Sequence, residues 1–259
     1  MKTSTKAIRF LETLCIPEGP KAGEQIKLAP FQKKFVRGAL SEGINVAVLS
    51  IGRGNAKTAL SAGIALGAAM GKWDNQPRRE VLIAARTRDQ ARIAFDFVVG
   101  FMRSFSDDEQ KKFTVRRSPR LEIEYDGDGG EHFIRAIAAD GKSALGSAPT
   151  MVLMDERGHW AADQGDALEH ALLSGLGKRG GRALIISTSA ADDATRFQFG
   201  SIKIKVGSIA RNIGLRSDFR LTIWCRSERR IPARRTESVR AWIGCRVRPA
   251  VRSHGAAPH

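Results

Sequence analysis

Hydrophobic positions along the chain fall into two alternating kinds of run. Four short, near-continuous apolar stretches occur at residues 46–51, 80–85, 151–154 and 182–186. Runs without a polar side read as strands covered on both faces. Between them the spacing turns helical. Residues 4–15 place Ile8, Leu11 and Cys15 near one face, and residues 28–37 start a helix at Pro30 with Phe31, Phe35 and Val36 inward. An Ala/Leu-rich helix begins at Lys57. Thr87 is placed to cap a helix from Arg88 to about Ser104, with Ala91, Phe95, Val98, Val99 and Met102 along one side. Residues 166–174 form a further helical segment, closed by Gly175 and Gly177. Strand–helix alternation at this spacing predicts a mainly parallel sheet flanked by helices, an α/β fold. Residues 113–116, 121–125 and 132–138 are β-like instead, and 126–130 (Asp-Gly-Asp-Gly-Gly) reads as a hairpin turn rather than a calcium loop. Residues 73–79 read as a polar turn.

The junction at residues 46–63 carries the first chemistry. An apolar strand passes through Gly52-Arg-Gly-Asn-Ala56 into Lys57-Thr58 and a helix, which is the layout of a phosphate-binding loop. The first N–H groups of a helix lack intrahelical partners and lie at the positive end of its dipole, so a polyphosphate binds there. Lys57 would meet the terminal phosphates and Thr58 would place its hydroxyl on Mg²⁺. The common G-x-x-x-x-G-K-[ST] form would put glycine at 51 and 56. Here Ile51 and Ala56 stand instead, with glycines at 52 and 54. The Ala56 methyl falls where the backbone passes close to phosphate.

A second signal lies about a hundred residues downstream. The apolar strand at 151–154 ends in Asp155-Glu156. In phosphate-loop ATPases the first such carboxylate serves the Mg²⁺ shell and the second orients and deprotonates the attacking water. Neighbours on a strand point to opposite sides, which would give the two carboxylates separate tasks. The strand at 182–189 ends in hydroxyls, and Ser187 and Thr188 would emerge beside the γ-phosphate, placed to relay hydrolysis. Gln32, near the start of its helix and just upstream of the loop strand, is a candidate reader of an adenine edge; the alternative is a solvent-facing glutamine. Arg88 and Arg92 read as a solvated helix face, with nucleotide or DNA contact as the other reading.

Charge changes the picture only at one end. The formal charge is +16, as in many nucleic-acid binders. Residues 196–259 hold 15 Lys and Arg against 3 Asp and Glu, leaving +4 for the first 195. Three cysteines (Cys15, Cys225 and Cys245) lack metal-ligand spacing, which points to a reducing cytoplasm. No apolar run approaches the ~20 residues of a membrane span, and residues 1–10 lack a signal-peptide pattern.

Taken together, the segments 28–32 (Leu-Ala-Pro-Phe-Gln), 52–58, 81–90, 152–156 and 185–188, with 10–20, resemble the ATPase domain of the large terminase subunit of tailed bacteriophages, the motor that drives DNA into a procapsid. The resemblance runs from about residue 5 to about residue 193. It implies a P-loop NTPase fold that binds ATP and Mg²⁺. It implies adenine contact at Gln32, and a nucleotide loop of Gly52, Gly54, Asn55, Ala56, Lys57 and Thr58. It implies that Thr58 and Asp155 are metal partners, that Glu156 is the general base, that Arg53 acts on the γ-phosphate, and that Ser187 and Thr188 couple hydrolysis to movement. A guanidinium suits the Arg53 role, because it stabilises charge spreading over a transferring phosphoryl group. Implied partners are double-stranded DNA, a small terminase subunit, the capsid portal and further copies in a ring, in the bacterial host cytoplasm at the assembling procapsid.

The expected organisation is an ATPase domain at 1–195 followed by an arginine-rich tail at 196–259. The tail reads as poorly ordered basic chain, because its apolar residues show no sustained period. Full-length relatives continue into a nuclease domain with a two-metal acidic cluster. From residue 196 onward only Asp218, Glu228 and Glu237 are acidic, so no nuclease activity is expected. The tail is either a salt-sensitive DNA-binding arm or translation out of frame after a truncated ATPase. Two other functions stay open: a helicase-like DNA-dependent ATPase, and a non-catalytic terminase remnant that binds DNA through the tail.

Overall fold

The computed structural model describes residues 1–51, 54–138, 147–160, 162–188 and 221–225, without the side chains of residues 50, 162–163, 188 and 221–225. Its frame is one eight-stranded sheet. In chain order the strands are β1 (Val46–Ile51), β2 (Glu80–Ala85), β3 (Phe113–Arg116), β4 (Leu121–Tyr125), β5 (His132–Ala138), β6 (Met151–Asp155), β7 (Arg182–Thr188) and β8 (Leu221–Cys225). Across the sheet the order is β3-β4-β5-β2-β6-β7-β1-β8. The six strands from β5 to β8 run parallel, and β3 and β4 extend the sheet antiparallel, with β4 and β5 forming the hairpin that the turn at 126–130 predicted.

The helices are α1 (Thr3–Thr13), α2 (Pro30–Ala39), α3 (Lys57–Ala69), α4 (Arg88–Met102), the single turn α5 (Asp107–Gln110) and α6 (Ala162–Leu176). The central strands alternate between two cores. Leu49, Ile51, Ile83, Leu153 and Ile186 belong to the core built with α1 to α4, while Val48, Ala84, Met154 and Ile185 belong to the core under α6. Burial on both faces explains the unbroken apolar runs. The alternation also assigns the strand ends: Asp155 continues the Met151, Leu153 series on the α3 face, and Ser187 continues the Ala183, Ile185 series on the α6 face.

Helix α3 is buried almost all round, because it lies against the sheet on one side and against α1 and α4 on the other. Its glycines make this possible. A Cβ at Gly63 would stand 2.7 Å from Leu11 Cδ2, and one at Gly67 would stand 2.3 Å from Trp73 Cζ3 and 2.7 Å from Phe10 Cδ1. Helix α1 therefore seats on a notch in α3, which anchors the helix that starts at Lys57. Helix α4 begins as expected, with Thr87 Oγ1 accepting from the Gln90 N–H at 3.3 Å.

Two expectations change. The polar turn at 73–79 is buried at both ends: Trp73 packs edge-on to Phe10 at 6.1 Å between ring centroids. Arg79 is 2% exposed, with its guanidinium on Ala69 O, Gln76 O, Asn75 and Asp128. An arginine bonded through Nε and both terminal nitrogens is stable inside, where polarity alone predicts a surface residue. The other change concerns the tail. Leu221–Cys225 pairs in parallel with β1, from Val46 opposite Leu221 to Ser50 opposite Cys225. The sheet thus extends past residue 195. Leu-Thr-Ile-Trp-Cys is β-branched and aromatic enough to form a strand, a local signal masked by the arginines around it. The rest of the tail lies outside the described residues.

Candidate nucleotide site

Strand β1 delivers the chain to the loop at Ile51, and α3 begins six residues later. Gly54 and Ala56 both take the left-handed conformation, at φ 76° and φ 51°. Glycine adopts it without penalty, whereas alanine crowds its Cβ against the backbone. Ala56 is exposed, so the methyl displaces no packed atom. Lys57, the first residue of α3, is buried and folds back beneath the loop: its Nζ donates to Ile51 O at 3.3 Å and stands 3.4 Å from Glu156 Oε1. Thr58 turns its hydroxyl to Asp155, 3.4 Å from Oδ2.

Strands β1 and β6 are separated by β7 alone, and all three run parallel. Their C-terminal ends therefore open at the same edge, which brings residues 97 positions apart into contact. The simple strand rule would send Asp155 and Glu156 to opposite sides. The structure departs from it because β6 ends at Asp155, and Glu156 takes a left-handed turn at φ 48°, ψ 41°. That turn swings the second carboxylate back toward Lys57. Both acids thus face the start of α3.

Asp155 is 7% exposed, and its Oδ1 accepts no hydrogen bond among the described residues. Burial, reinforced by the neighbouring Glu156 charge, raises its pKa to about 6 against the pull of Lys57 and Thr58. A buried carboxylate with one unmatched oxygen, a hydroxyl beside the other, and a raised pKa is a site short of positive charge. Hard oxygen donors of this kind fit a Mg²⁺ ion, which keeps much of its water and takes few protein ligands.

Gln32 is not solvent-facing; it is 8% exposed. Its Oε1 accepts from the Ala29 N–H at 2.9 Å, half of a capping box, and its Nε2 donates to Asn55 O at 3.2 Å. Gln32 thus ties the start of α2 to the loop, and keeps one lone pair and one N–H for another partner. Ser187 is buried on the α6 face, where its Oγ accepts from the Gly158 N–H at 3.3 Å. Gly52, Arg53 and the side chain of Thr188 lie outside the described residues. Arg88 donates to Pro119 O and Arg92 pairs with Asp96. Asp128, in the expected hairpin turn, pairs with Arg79 and His132.

Three residues near Glu156 were assigned no role from the sequence: Arg157, Trp160 and Glu169. Arg157 follows a strand end and Glu169 sits amid a helix, positions where charge ordinarily means solvent. Both are buried, Arg157 at 6% and Glu169 at 2% exposure. Leu168 and Leu172 flank Glu169 on the buried face of α6, the one local hint that it points inward.

With this geometry in place, comparison with known proteins is specific. The family of terminase large subunit ATPase domains matches residues 20–199. The large terminase subunit of Enterobacteria phage HK97 is 31% identical over 206 residues, covering 75% of this chain and 38% of that protein. The crystal structure of the HK97 large terminase superposes with a TM-score of 0.66 at 27% identity, over 87% of this chain and 43% of the other. The ATPase domain of the Thermus phage P74-26 large terminase shares the fold, with a TM-score of 0.51 at 23% identity over 65% of this chain and 68% of that one. The chain spans about two fifths of the length of the HK97 protein. This chain belongs to the terminase large subunit ATPase domain family.

Proposed function

We propose that residues 1–195, with the edge strand at 221–225, form the ATP-hydrolysing motor of a large terminase that moves viral double-stranded DNA into a procapsid. The observation that carries this reading is the convergence of Lys57, Thr58, Asp155 and Glu156 at the shared C-terminal edge of β1 and β6. In this proposal the N–H groups opening α3 and the Lys57 ammonium bind the terminal phosphates of ATP. The phosphates replace Glu156 beside Lys57. Glu156 then accepts a proton from water as the water oxygen attacks the γ-phosphorus and the bond to the bridging oxygen breaks. Thr58 and Asp155 would hold Mg²⁺, which would supply positive charge to the phosphates. Arg53 stabilises the spreading γ-phosphate charge, and Gln32 meets the adenine edge with its remaining lone pair and N–H.

Ser187 and Thr188 end β7, between the loop strand and the acidic strand, which suits them to pass hydrolysis on as movement. DNA, a small terminase subunit, the portal and ring copies of the chain are the partners the terminase likeness implies, at the procapsid in the host cytoplasm. A split between two variants tests the reading. Lys57→Ala is expected to lose both ATP binding and hydrolysis. Glu156→Gln is expected to keep binding and lose at least about a hundredfold in turnover, the usual scale of a general base. Undiminished turnover in Glu156→Gln would reject it.

A further inference from the structure

We propose that Arg157 is a positioning residue for Glu156, locked by Glu169 and Asp166 of α6. The inference rests on Glu156 being the base. Glu156 sits in a left-handed conformation that an L-residue keeps only when its surroundings impose it. Its contact with Lys57 does not supply that constraint during turnover, because phosphate takes Lys57 over. The single 3-10 turn at Arg157–His159 constrains it as well: His159 Nε2 stands 3.7 Å from Glu156 Oε2, and the turn is fastened at three points. Trp160 Nε1 donates to Asp155 O at 3.0 Å, and Gly158 N donates to Ser187 Oγ at 3.3 Å.

The third fastening is the strongest. The Arg157 guanidinium puts Nε 2.7 Å and Nη2 2.5 Å from Glu169 Oε2, and Nη2 2.6 Å from Asp166 Oδ1. It also lies over the Trp160 ring at 5.2 Å. Seating Arg157 in α6 fixes the backbone directly after Glu156, and with it the direction in which Glu156 leaves toward Lys57. A buried ion pair is a poor means of adding stability, since desolvation offsets most of its attraction. A planar guanidinium held on Glu169 Oε2 by two nitrogens and on Asp166 by one of them does fix direction. Glu169 Oε1 has no hydrogen-bond partner among the described residues, so its charge is balanced from one side only, by Arg157. The geometry makes the angle of the base depend on the seat of α6.

The test uses the full chain with Arg157→Lys and Glu169→Gln, each alone and combined with Glu156→Gln. Asp166→Asn, at a partly exposed position, is the milder third variant. Turnover, KM for ATP, and affinity for MgADP with and without aluminium fluoride are measured. Arg157→Lys keeps the charge and loses the fork. The expected result is kcat lowered at least tenfold, with KM and MgADP affinity within about twofold of wild type. Affinity for the aluminium fluoride complex, which mimics the transferring phosphoryl group, falls at least tenfold. Added to Glu156→Gln, the same changes lower residual turnover no further, because they act through the missing carboxylate. Equal weakening of both nucleotide complexes, or a full second loss in the Glu156→Gln background, overturns the proposal. Glu156-dependent hydrolysis untouched by all three variants overturns it alone, whereas hydrolysis independent of Glu156 removes the base assignment beneath it.

Discussion

Lys57 Nζ stands 3.4 Å from Glu156 Oε1, so the cation proposed for phosphate and the carboxylate proposed as base are each other's neighbours before any nucleotide arrives. Phosphate binding must break this pair. Glu156→Gln is therefore expected to tighten ATP binding severalfold, on the scale of the ~1 kcal/mol that a partly exposed charge-assisted contact contributes, while lowering turnover at least about a hundredfold. Calorimetric titration of the variant with ATP checks this, and weaker binding than wild type would contradict it.

Asp155 gives a pH signature. Its pKa is raised from 3.8 to about 6, so the folded chain holds this proton more tightly than the unfolded chain does. The associated stability is complete below about pH 3.8 and is lost as pH rises through about 6. At neutral pH the ionised group then costs at most about 3 kcal/mol. Asp155→Asn is expected to raise the urea midpoint of the metal-free chain at pH 7.5, with the gain shrinking toward pH 4. Mg²⁺ should shrink it as well, by favouring the carboxylate. A gain independent of pH would contradict the burial argument.

Ala56 carries a left-handed conformation at φ 51°. Glycine would relieve roughly 1 kcal/mol of crowding and return a similar amount as lost chain entropy. Stability of Ala56→Gly should thus stay within about 1 kcal/mol of wild type. ATP affinity should rise, because the methyl no longer stands beside the phosphate path. A fall in affinity would show that the methyl helps to set the loop.

The notch in α3 predicts a different kind of damage. A methyl at Gly67 meets the Trp73 ring at 2.3 Å, and a ring held between Phe10 and the helix has little room to yield. Gly67→Ala should destabilise the fold by about 1–3 kcal/mol, the usual range for overpacking, despite the better helix propensity of alanine. Thermal melting reads this directly; a raised melting temperature would contradict it.

The sequence was most legible where local pattern and tertiary role coincide. The runs of β1, β2, β6 and β7 are apolar because helices cover both faces, and pattern alone identified them. Lys57-Thr58 and Asp155-Glu156 were visible because a strand end and a helix start are sequence-local events. Their convergence was not, because it depends on β7 lying between β1 and β6 and on a left-handed turn at Glu156 that no residue preference announces. Arg79, Arg157 and Glu169 were hidden for the opposite reason: each is buried because it pairs with partners 3 to 49 residues away. Strand β8 was hidden by its surroundings, five strand-forming residues in an arginine-rich stretch.

Phosphate release from ATP by the full chain, with and without double-stranded DNA, in Mg²⁺ and in chelator, decides whether Glu156 serves a DNA-stimulated ATPase. Mg²⁺-dependent release is expected, stimulated by DNA and lowered at least about a hundredfold by Glu156→Gln in both conditions. Release undiminished in Glu156→Gln, or DNA binding indifferent to ATP with no release at all, would contradict it.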